Sequence, residues 1–209
     1  MVYKNLFYRL LFSLFFFVIF FVSINNKQLL FILGTFIYLF ILFEIFKYFN
    51  RFFKLIYFYL FLSYFCFSLY FYIFYDYLIF NIFAFTIIFF DSFSYFTGKL
   101  FGKNYIFKTI SPKKTLEGYL GGILFTNTFF ICFFHFIFID LKFNNFIILI
   151  NLTIFISTIG DLFQSYFKRK NNIKDSSSYL PGHGGFFDRF DSFIASIIML
   201  LILSFTMNL

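Results

Sequence analysis

The sequence predicts an all-α membrane protein, a polytopic bundle of about seven transmembrane helices with two long cytoplasmic polar loops. Of its 209 residues, 62% are hydrophobic and only 12% are charged, whereas soluble domains carry about 25% charged residues. The apolar residues form long runs between charged breaks, and the basic residues concentrate in alternate connections. No soluble core needs this much apolar surface, so lipid is the expected solvent.

Apolar runs between charged breaks give seven candidate spans. They are Leu10–Ile24, Gln28–Phe43, Leu55–Tyr75, Tyr77–Phe90, Tyr119–Ile139, Asn144–Gly160 and Ser192–Asn208. The fourth run is the weakest, and a continuation beyond Asp91 would give it the ~20 residues that usually cross a bilayer. The first run lies beside Lys4 and Arg9 but lacks the small-residue cleavage site of a signal peptide, so we expect it to be a membrane helix.

The basic residues predict the orientation of the chain. With the N-terminus inside, the inner segments are the N-terminal tail, 44–54, 91–118 and 161–191, and they hold 15 of the 17 Lys and Arg residues. Because translocation of positive charge is disfavoured, these segments are expected in the cytoplasm. The net charge of +8 therefore indicates membrane orientation, and no nucleic-acid partner is expected.

The distribution of charge between inner and outer segments also predicts which part of the chain is catalytic. Seven of the nine acidic residues are also on the inner side, and six of those seven lie in the two long loops. Residues 1–90 are therefore expected to be scaffold helices. Residues 91–209 are expected to be a catalytic transmembrane region with cytoplasmic loops 91–118 and 161–191.

Carboxylates mark the second of these loops. Asp188 and Asp191 are three residues apart, so on a helix both project from one face. Asp161 lies at the matching end of the preceding span, and three carboxylates from two helix ends would form an oxygen site suited to Mg²⁺. The alternative is that each Asp forms an ordinary interfacial ion pair with a nearby base. Those bases are Lys168, Arg169 and Arg189.

A glycine-rich turn, Pro181-Gly182-His183-Gly184-Gly185, comes directly before the proposed Asp188 helix. Glycines let a backbone approach a phosphate closely, and a helix N-terminus offers free N–H groups. The turn therefore suggests phosphate binding, with His183 as a phosphate ligand or an acid. The alternatives are a tight turn that places a re-entrant segment and a purely structural histidine.

The first loop is basic rather than acidic. Its stretch Ser111-Pro112-Lys113-Lys114-Thr115 places two ammonium groups beside two hydroxyls, which suits a triphosphate, although the spacing of a Walker A loop is absent. The alternative is a polybasic surface attracted to anionic lipid headgroups. Gly118, Gly121 and Gly122 follow at a spacing typical of close helix packing.

Taken together, the two loops resemble the phosphatidate cytidylyltransferase family. Its long signature is matched by Ser165, Lys168-Arg169, Lys174-Asp175, Pro181, His183-Gly184-Gly185, Asp188-Arg189 and Asp191. Its Ser-Pro-x-Lys-Thr-x-Glu-Gly stretch is similar to Ser111-Pro112, Lys114-Thr115 and Glu117-Gly118, and Asp91, Ser92 and Tyr95 resemble the segment before it. The similarity covers about the C-terminal three-fifths of the chain.

Two features depart from the family. Gln164 stands where the family usually has Glu, which removes one negative charge near the expected metal site. The chain is also shorter than typical members, and the missing length falls among the N-terminal spans.

The resemblance implies that a phosphatidate phosphate oxygen attacks the α-phosphorus of CTP, giving CDP-diacylglycerol and pyrophosphate for phospholipid biosynthesis. It implies an inner or plasma membrane location, a site facing the cytoplasm and a Mg²⁺ cofactor, and it leaves open a second metal ion and a homodimer. The expected catalytic residues are Asp161, Lys168, Lys174, Asp188 and Asp191, with the three Asp as metal ligands. The expected substrate-binding residues are Ser111, Lys113, Lys114, Arg169, His183, Gly184, Gly185 and Arg189.

Three other functions are weighed against this one. A related enzyme, either a nucleotidyltransferase or a CTP-dependent kinase, would act on an isoprenoid lipid. A transporter would carry charges inside its spans or broken helices at midplane, whereas the charges here lie in two loops. An inactive scaffold is disfavoured by the intact Asp161, Asp188 and Asp191.

Overall fold

Helices that could cross a membrane make up most of the structure. The computed structural model describes residues 18, 20–23, 26–136, 141–180 and 184–207, and in those parts six helices are long and apolar enough to span a bilayer. They are α1 (Lys27–Tyr48), α2 (Phe53–Leu69, extended by a π-helical turn at Tyr70–Phe74), α3 (Tyr77–Phe101), α4 (Leu116–Phe133), α5 (Phe143–Lys170) and α6 (Phe187–Met207). The chain is thus a multi-pass helical membrane protein, which confirms the predicted fold class. Most of the first candidate span lies outside the described residues, so a count of seven stays a prediction.

Two of the helices run further than the charge breaks predict. Helix α3 continues through Asp91 to Phe101, and α5 continues through Asp161 to Lys170. The last turn of α5 carries three bases, which interact favourably with the negative C-terminal end of a helix dipole. The predicted loops 91–118 and 161–191 therefore begin with helix, and their non-helical parts are 102–115 and 171–186.

A small hairpin connects α3 to α4. Strand β1 (Tyr105–Phe107) pairs antiparallel with β2 (Ser111–Thr115). The Glu117 carboxylate anchors the chain just before the hairpin, because it accepts the backbone N–H groups of Lys103 and Asn104 at 3.0 and 3.2 Å. The hairpin, which was not predicted, thus has a fixed position beside the start of α4.

Glycines allow α3 and α4 to pack closely. A Cβ on Gly118 would lie 2.8 Å from the Ser94 carbonyl oxygen and 3.0 Å from Cα of Gly98. The Thr97 hydroxyl uses this proximity to donate a hydrogen bond of 3.1 Å to the Gly118 carbonyl oxygen. The close packing expected from the glycine spacing is confirmed, and it fixes the hairpin against the bundle.

Helix α6 lies at the centre of the bundle and packs against α5, α2 and α3. Its side chains Ile194, Ile197 and Leu200 are fully buried. Ser63 on α2 connects three helices. Its hydroxyl donates to the Ile194 carbonyl oxygen of α6 at 2.6 Å and is hydrogen-bonded to the Tyr38 hydroxyl of α1. The central helix that carries two of the predicted site carboxylates is therefore rigidly held.

The three connections α1–α2, α3–α4 and α5–α6 meet at one end of the bundle. The Asn171 side-chain oxygen accepts the N–H groups of Asn50 and Arg51 at 2.9 and 2.7 Å. The Arg169 guanidinium donates to the Ile110 carbonyl oxygen at 3.3 Å. These contacts bring three of the four predicted inner segments, 44–54, 91–118 and 161–191, to one end of the bundle.

Candidate active site

A buried ion pair joins the polar ends of α5 and α6. The Lys168 ammonium lies 2.7 Å from Oδ1 of Asp188, and the Gln164 amide donates to the same oxygen at 2.8 Å. Gln164 and Lys168 are four residues apart on α5, so both project from one helix face toward α6. The neutral amide at position 164 therefore has a defined task, since it supplies a hydrogen to Asp188.

The other carboxylate oxygen of Asp188 closes the turn that precedes α6. Oδ2 accepts the Ser176 N–H at 2.7 Å, the Gly185 N–H at 3.1 Å and the Ser176 hydroxyl at 3.1 Å. Both oxygens of Asp188 are thus engaged by protein donors. This geometry favours the ion-pair alternative for Asp188 over the predicted role of metal ligand.

A second ion pair connects the two polar segments. Lys114 at the end of β2 pairs with Asp161 on α5, and the Ser165 hydroxyl donates to Oδ1 of Asp161 at 3.3 Å. About a third of each paired side chain is exposed, 33% for the lysine and 28% for the aspartate. The pair thus stands at the surface of the site, where a bound anion can reach the ammonium group.

Two further carboxylates lie near Asp161, namely the exposed Asp91 and the half-buried Asp191. The charges of Asp91 and Asp161 act on Asp191, and a Cβ on Gly160 would lie 2.7 Å from the Asp191 carbonyl oxygen. One oxygen of Asp191 accepts the N–H of Ser192 at 2.8 Å. The structure therefore brings Asp161 and Asp191 together, as predicted, and adds Asp91.

The donor set has to be compared with the needs of Mg²⁺. In the described residues, no three His, Cys, Asp or Glu side chains are gathered tightly enough to hold a metal ion by themselves. Mg²⁺ is usually held by one or two carboxylates and completed by waters and substrate phosphates. Asp161 and Asp191 supply two such carboxylates close together, and Asp161 is contacted by Lys114 and Ser165. Asp188 fits the pattern less well, because five donor atoms surround its two oxygens.

A buried carboxylate from α1 also reaches the site. Glu44 is 0% exposed, and its oxygens accept the backbone N–H groups of Phe186 and Phe187 at 2.7 and 3.0 Å. The hydroxyls of Ser176 and Ser177 lie 3.1 and 2.7 Å away. A carboxylate at a helix N-terminus is stabilised by the helix dipole, so Glu44 holds the start of α6.

The glycine-rich turn consequently has a structural task. The N–H groups that were expected to bind phosphate donate to Glu44 and Asp188. Gly184 has a φ of +83° and accepts the Leu180 N–H at 2.9 Å, which forms the tight turn that was the alternative. Residues 181–183 lie outside the described part of the chain, so the role of His183 stays a prediction.

The remaining predicted residues line the outside of the site. Lys113, Lys174 and Arg189 are exposed, and Ser111 is half-buried in β2. The exposed Arg169 donates to carbonyl oxygens of Ile110 and Ile173 at 3.3 and 3.4 Å. Lys113, Arg169 and Arg189 are each next in sequence to a member of one of the two ion pairs.

Sequence reasoning missed Glu44 and Asp91 as site residues. Glu44 is the only acidic residue before Asp76, and it ends an apolar run. Asp91 ends another such run. An ionisable residue at the edge of a span is costly unless it is paired, and that rule would have identified both.

The fold and this cluster define a class, a polytopic membrane protein with a charged site at one end of its bundle. The chain belongs to the Cytidylyltransferase family, whose model matches residues 1–207. A phosphatidate cytidylyltransferase of Haemophilus influenzae is 41% identical over 104 residues, which are 48% of this chain and 36% of that protein. One of Staphylococcus epidermidis is 44% identical over 109 residues, which are 51% and 41% of the two chains. The matched stretches thus span well under two thirds of these relatives.

Proposed function

We propose that the chain transfers CMP from CTP to phosphatidate, giving CDP-diacylglycerol and pyrophosphate. The observation that carries this proposal is the Lys114–Asp161 ion pair, because it joins the two segments in which the family motifs lie. The phosphatidate cytidylyltransferases to which the chain is similar carry that activity in their names.

The proposed reaction requires charge neutralisation more than proton transfer. The attacking phosphate oxygen is already ionised near neutral pH, so no strong general base is needed. The barrier is mainly repulsion between anionic groups, which preorganised cations relieve. Lys114 and Lys168 are positioned for this task, since each ammonium is held by a carboxylate at a defined place.

The outer bases would bind the substrates before the reaction. Arginine and lysine side chains at the mouth of a site attract phosphates and raise their local concentration. We assign Ser111 and Lys113 to CTP, because they share β2 with Lys114. We assign Lys174, Arg169 and Arg189 to phosphates of either substrate. A phosphatidate headgroup would approach from the bilayer and CTP from the aqueous side.

We propose Asp161 and Asp191 as the residues that hold Mg²⁺. Bound there, the metal would draw charge from the phosphates of the nucleotide. Asp91 places a third carboxyl group beside Asp161, and a divalent cation bound there would favour its charged form. Asp188 keeps Lys168 in place instead.

We further propose that the site faces the cytoplasm of the bacterial inner or plasma membrane. Three of the four base-rich inner segments lead to the end of the bundle that carries the site, and such segments stay in the cytoplasm. CTP is available on that side.

Isotope placement tests the proposed function directly. The purified protein is incubated with phosphatidate, Mg²⁺ and CTP labelled either at the α- or at the γ-phosphate. Nucleotidyl transfer puts only the α-label into the lipid product, whereas a kinase puts in only the γ-label. A polyprenol or archaeol-type acceptor serves as the second substrate. Two results would refute the proposal. One is label in the lipid product when CTP is labelled at the γ-phosphate, and the other is label in the isoprenoid acceptor but not in phosphatidate.

The Asp161→Asn variant links the site to the activity. It keeps the shape of the side chain but removes the charge that pairs with Lys114. The expected result is a large fall in product formation with an intact fold, and a higher Mg²⁺ concentration for half-maximal residual activity. Wild-type turnover and Mg²⁺ dependence in this variant would contradict the assignment.

A further inference from the structure

The Glu44 side chain is fully buried and belongs to neither of the two ion pairs found in the part of the chain that the structure describes. It lies on α1, a helix expected to be scaffold, and yet all of its hydrogen bonds go to the turn before α6. A buried carboxylate is tolerated only when donors satisfy it. Two backbone N–H groups and two hydroxyls do so here. The position of the carboxylate is therefore fixed by the residues that precede and begin α6.

One hydroxyl connects Glu44 to Asp188. The Ser176 oxygen lies 3.1 Å from Oε2 of Glu44 and 3.1 Å from Oδ2 of Asp188. A hydroxyl has one hydrogen and donates to one carboxylate at a time. The backbone N–H of Ser176 donates to Asp188 as well. Displacement of Ser176 would therefore disturb both carboxylates together.

Through Asp188 the connection reaches Lys168. Asp188 holds the Lys168 ammonium at 2.7 Å, and that lysine is one of the two cations assigned to charge neutralisation. The chain of contacts is thus continuous from α1 to the Lys168 ammonium. No atom of Glu44 needs to touch a substrate.

We infer that Glu44 is a positioning residue, which holds Ser176 and Ser177 against the start of α6 and, through Ser176 and Asp188, aims the Lys168 ammonium. This inference rests on the proposed function. It gives an N-terminal helix a part in the reaction and assigns a role to a residue outside both family motifs.

Three variants test the inference in the full-length protein. Glu44→Gln keeps the size of the side chain but replaces one acceptor oxygen with a donor that cannot pair with the N–H groups of Phe186 and Phe187. Ser176→Ala removes only the shared hydroxyl. Tyr38→Phe is the matched control, because it removes another buried hydroxyl of α1, the one bonded to Ser63, away from the site.

The expected result is a fall in kcat with little change in the KM for CTP. A group that orients a functional side chain typically contributes 10- to 100-fold to activity, so we expect a loss on the order of 10- to 100-fold in Glu44→Gln and a smaller loss in Ser176→Ala. The double variant should be no slower than Glu44→Gln, because both changes break one connection. Tyr38→Phe should keep the wild-type kcat even if it lowers the melting temperature.

Hydrogen exchange of the 174–190 backbone provides a readout that does not depend on turnover. The amides of Phe186 and Phe187 should exchange faster in Glu44→Gln than in Tyr38→Phe. Wild-type exchange there, a wild-type kcat in both site variants, or losses that multiply in the double variant would overturn the inference. If Glu44→Gln does not fold, Ser176→Ala decides alone through the same two readouts. If the wild-type protein labels no lipid, the proposed function is refuted. The hydrogen-exchange comparison still tests whether Glu44 holds the start of α6.

Discussion

The Lys168 ammonium lies 2.7 Å from Oδ1 of Asp188, and only 13% and 10% of the two side chains are exposed. Removing one member of a buried ion pair leaves the other as an uncompensated charge, which typically costs about 3–5 kcal/mol. The pair therefore matters both to folding and to the proposed chemistry, and the two contributions can be separated.

We expect Asp188→Asn to lower the free energy of unfolding by about 3 kcal/mol and to abolish product formation. Lys168→Met should have a similar effect on both. The double variant Lys168→Met/Asp188→Asn removes both charges, so its stability should recover while its activity does not. Thermal unfolding in detergent and the α-label assay measure the two quantities. Recovered activity in the double variant would show that the pair is structural only.

The Lys114–Asp161 pair should behave differently, because it stands near the surface. Exposed ion pairs contribute roughly 0–1 kcal/mol to stability, so Lys114→Gln should leave the melting temperature nearly unchanged. A hydrogen bond to a charged group contributes about 1.5–3 kcal/mol, or at least about tenfold in binding. We therefore expect kcat/KM for CTP to fall at least about tenfold.

Lys108→Gln is the control for that experiment. Lys108 is exposed in the turn between β1 and β2, and it carries the same charge on the same hairpin. Equal losses in the two variants would mean that the hairpin attracts nucleotide through its overall charge, and the specific assignment of Lys114 would fail.

The helical fold was predictable because hydropathy needs no knowledge of tertiary contacts. Each of the six helices described here overlaps a predicted span. The ends of α3 and α5 were not predictable from charge breaks, since Asp91 and Asp161 lie within the helices. Asp161 on α5 has Lys114 and Ser165 as partners, and Asp91 stays exposed on α3, so neither charge ends its helix.

The site was predictable where the residues sit close together in the sequence. The predicted proximity of Asp161 to Asp191 agrees with the structure, whereas Asp188 contacts Lys168 and Gln164. The partner of the α6 N-terminus was not predictable, because Glu44 is more than 140 residues away in the sequence. For the same reason, the sequence left both interpretations of the glycine-rich turn open, phosphate binding and a structural turn, whereas the structure shows the N–H groups of Gly185, Phe186 and Phe187 donating to Asp188 and Glu44.

Gln164 gives a prediction with a dependence on pH. Its amide donates to Asp188 at 2.8 Å, and an ionised Glu at this position has no hydrogen to donate. In Gln164→Glu, a protonated side chain at low pH can replace the amide, whereas an ionised one at high pH repels Asp188. We expect the variant to be close to wild type in stability at pH 5 and about 1–3 kcal/mol less stable at pH 8.

Gln164→Met is the control for the pH dependence. It removes the hydrogen bond without adding a charge, so its loss of stability should be the same at both pH values. Thermal unfolding of the two variants across this range makes the comparison. A Gln164→Glu protein more stable than wild type at pH 8 would show that a cation is held between the two carboxylates.

Gly185 tests whether the turn before α6 is shaped by carboxylates or by a substrate. A Cβ at this position would contact the Ser176 hydroxyl and lie 2.6 Å from Oε2 of Glu44. Overpacking of this kind costs about 1–3 kcal/mol, so Gly185→Ala should lose stability without any substrate present.

The pair Gly185→Ala and Gly34→Ala separates stability from activity. Gly34 lies on α1, ten residues before Glu44, and a Cβ there would contact Phe67 of α2. The Gly34→Ala variant should therefore lose stability and keep its kcat. Gly185→Ala should lose both. Adding Ser176→Ala should recover only part of the stability, because Oε2 of Glu44 and the Ser177 hydroxyl would still lie 2.6 and 2.7 Å from the added Cβ. Activity should stay low in the double variant, since Asp188 has then lost a donor. Unchanged stability of Gly185→Ala, with only the affinity for CTP reduced, would return the turn to its predicted role of binding phosphate.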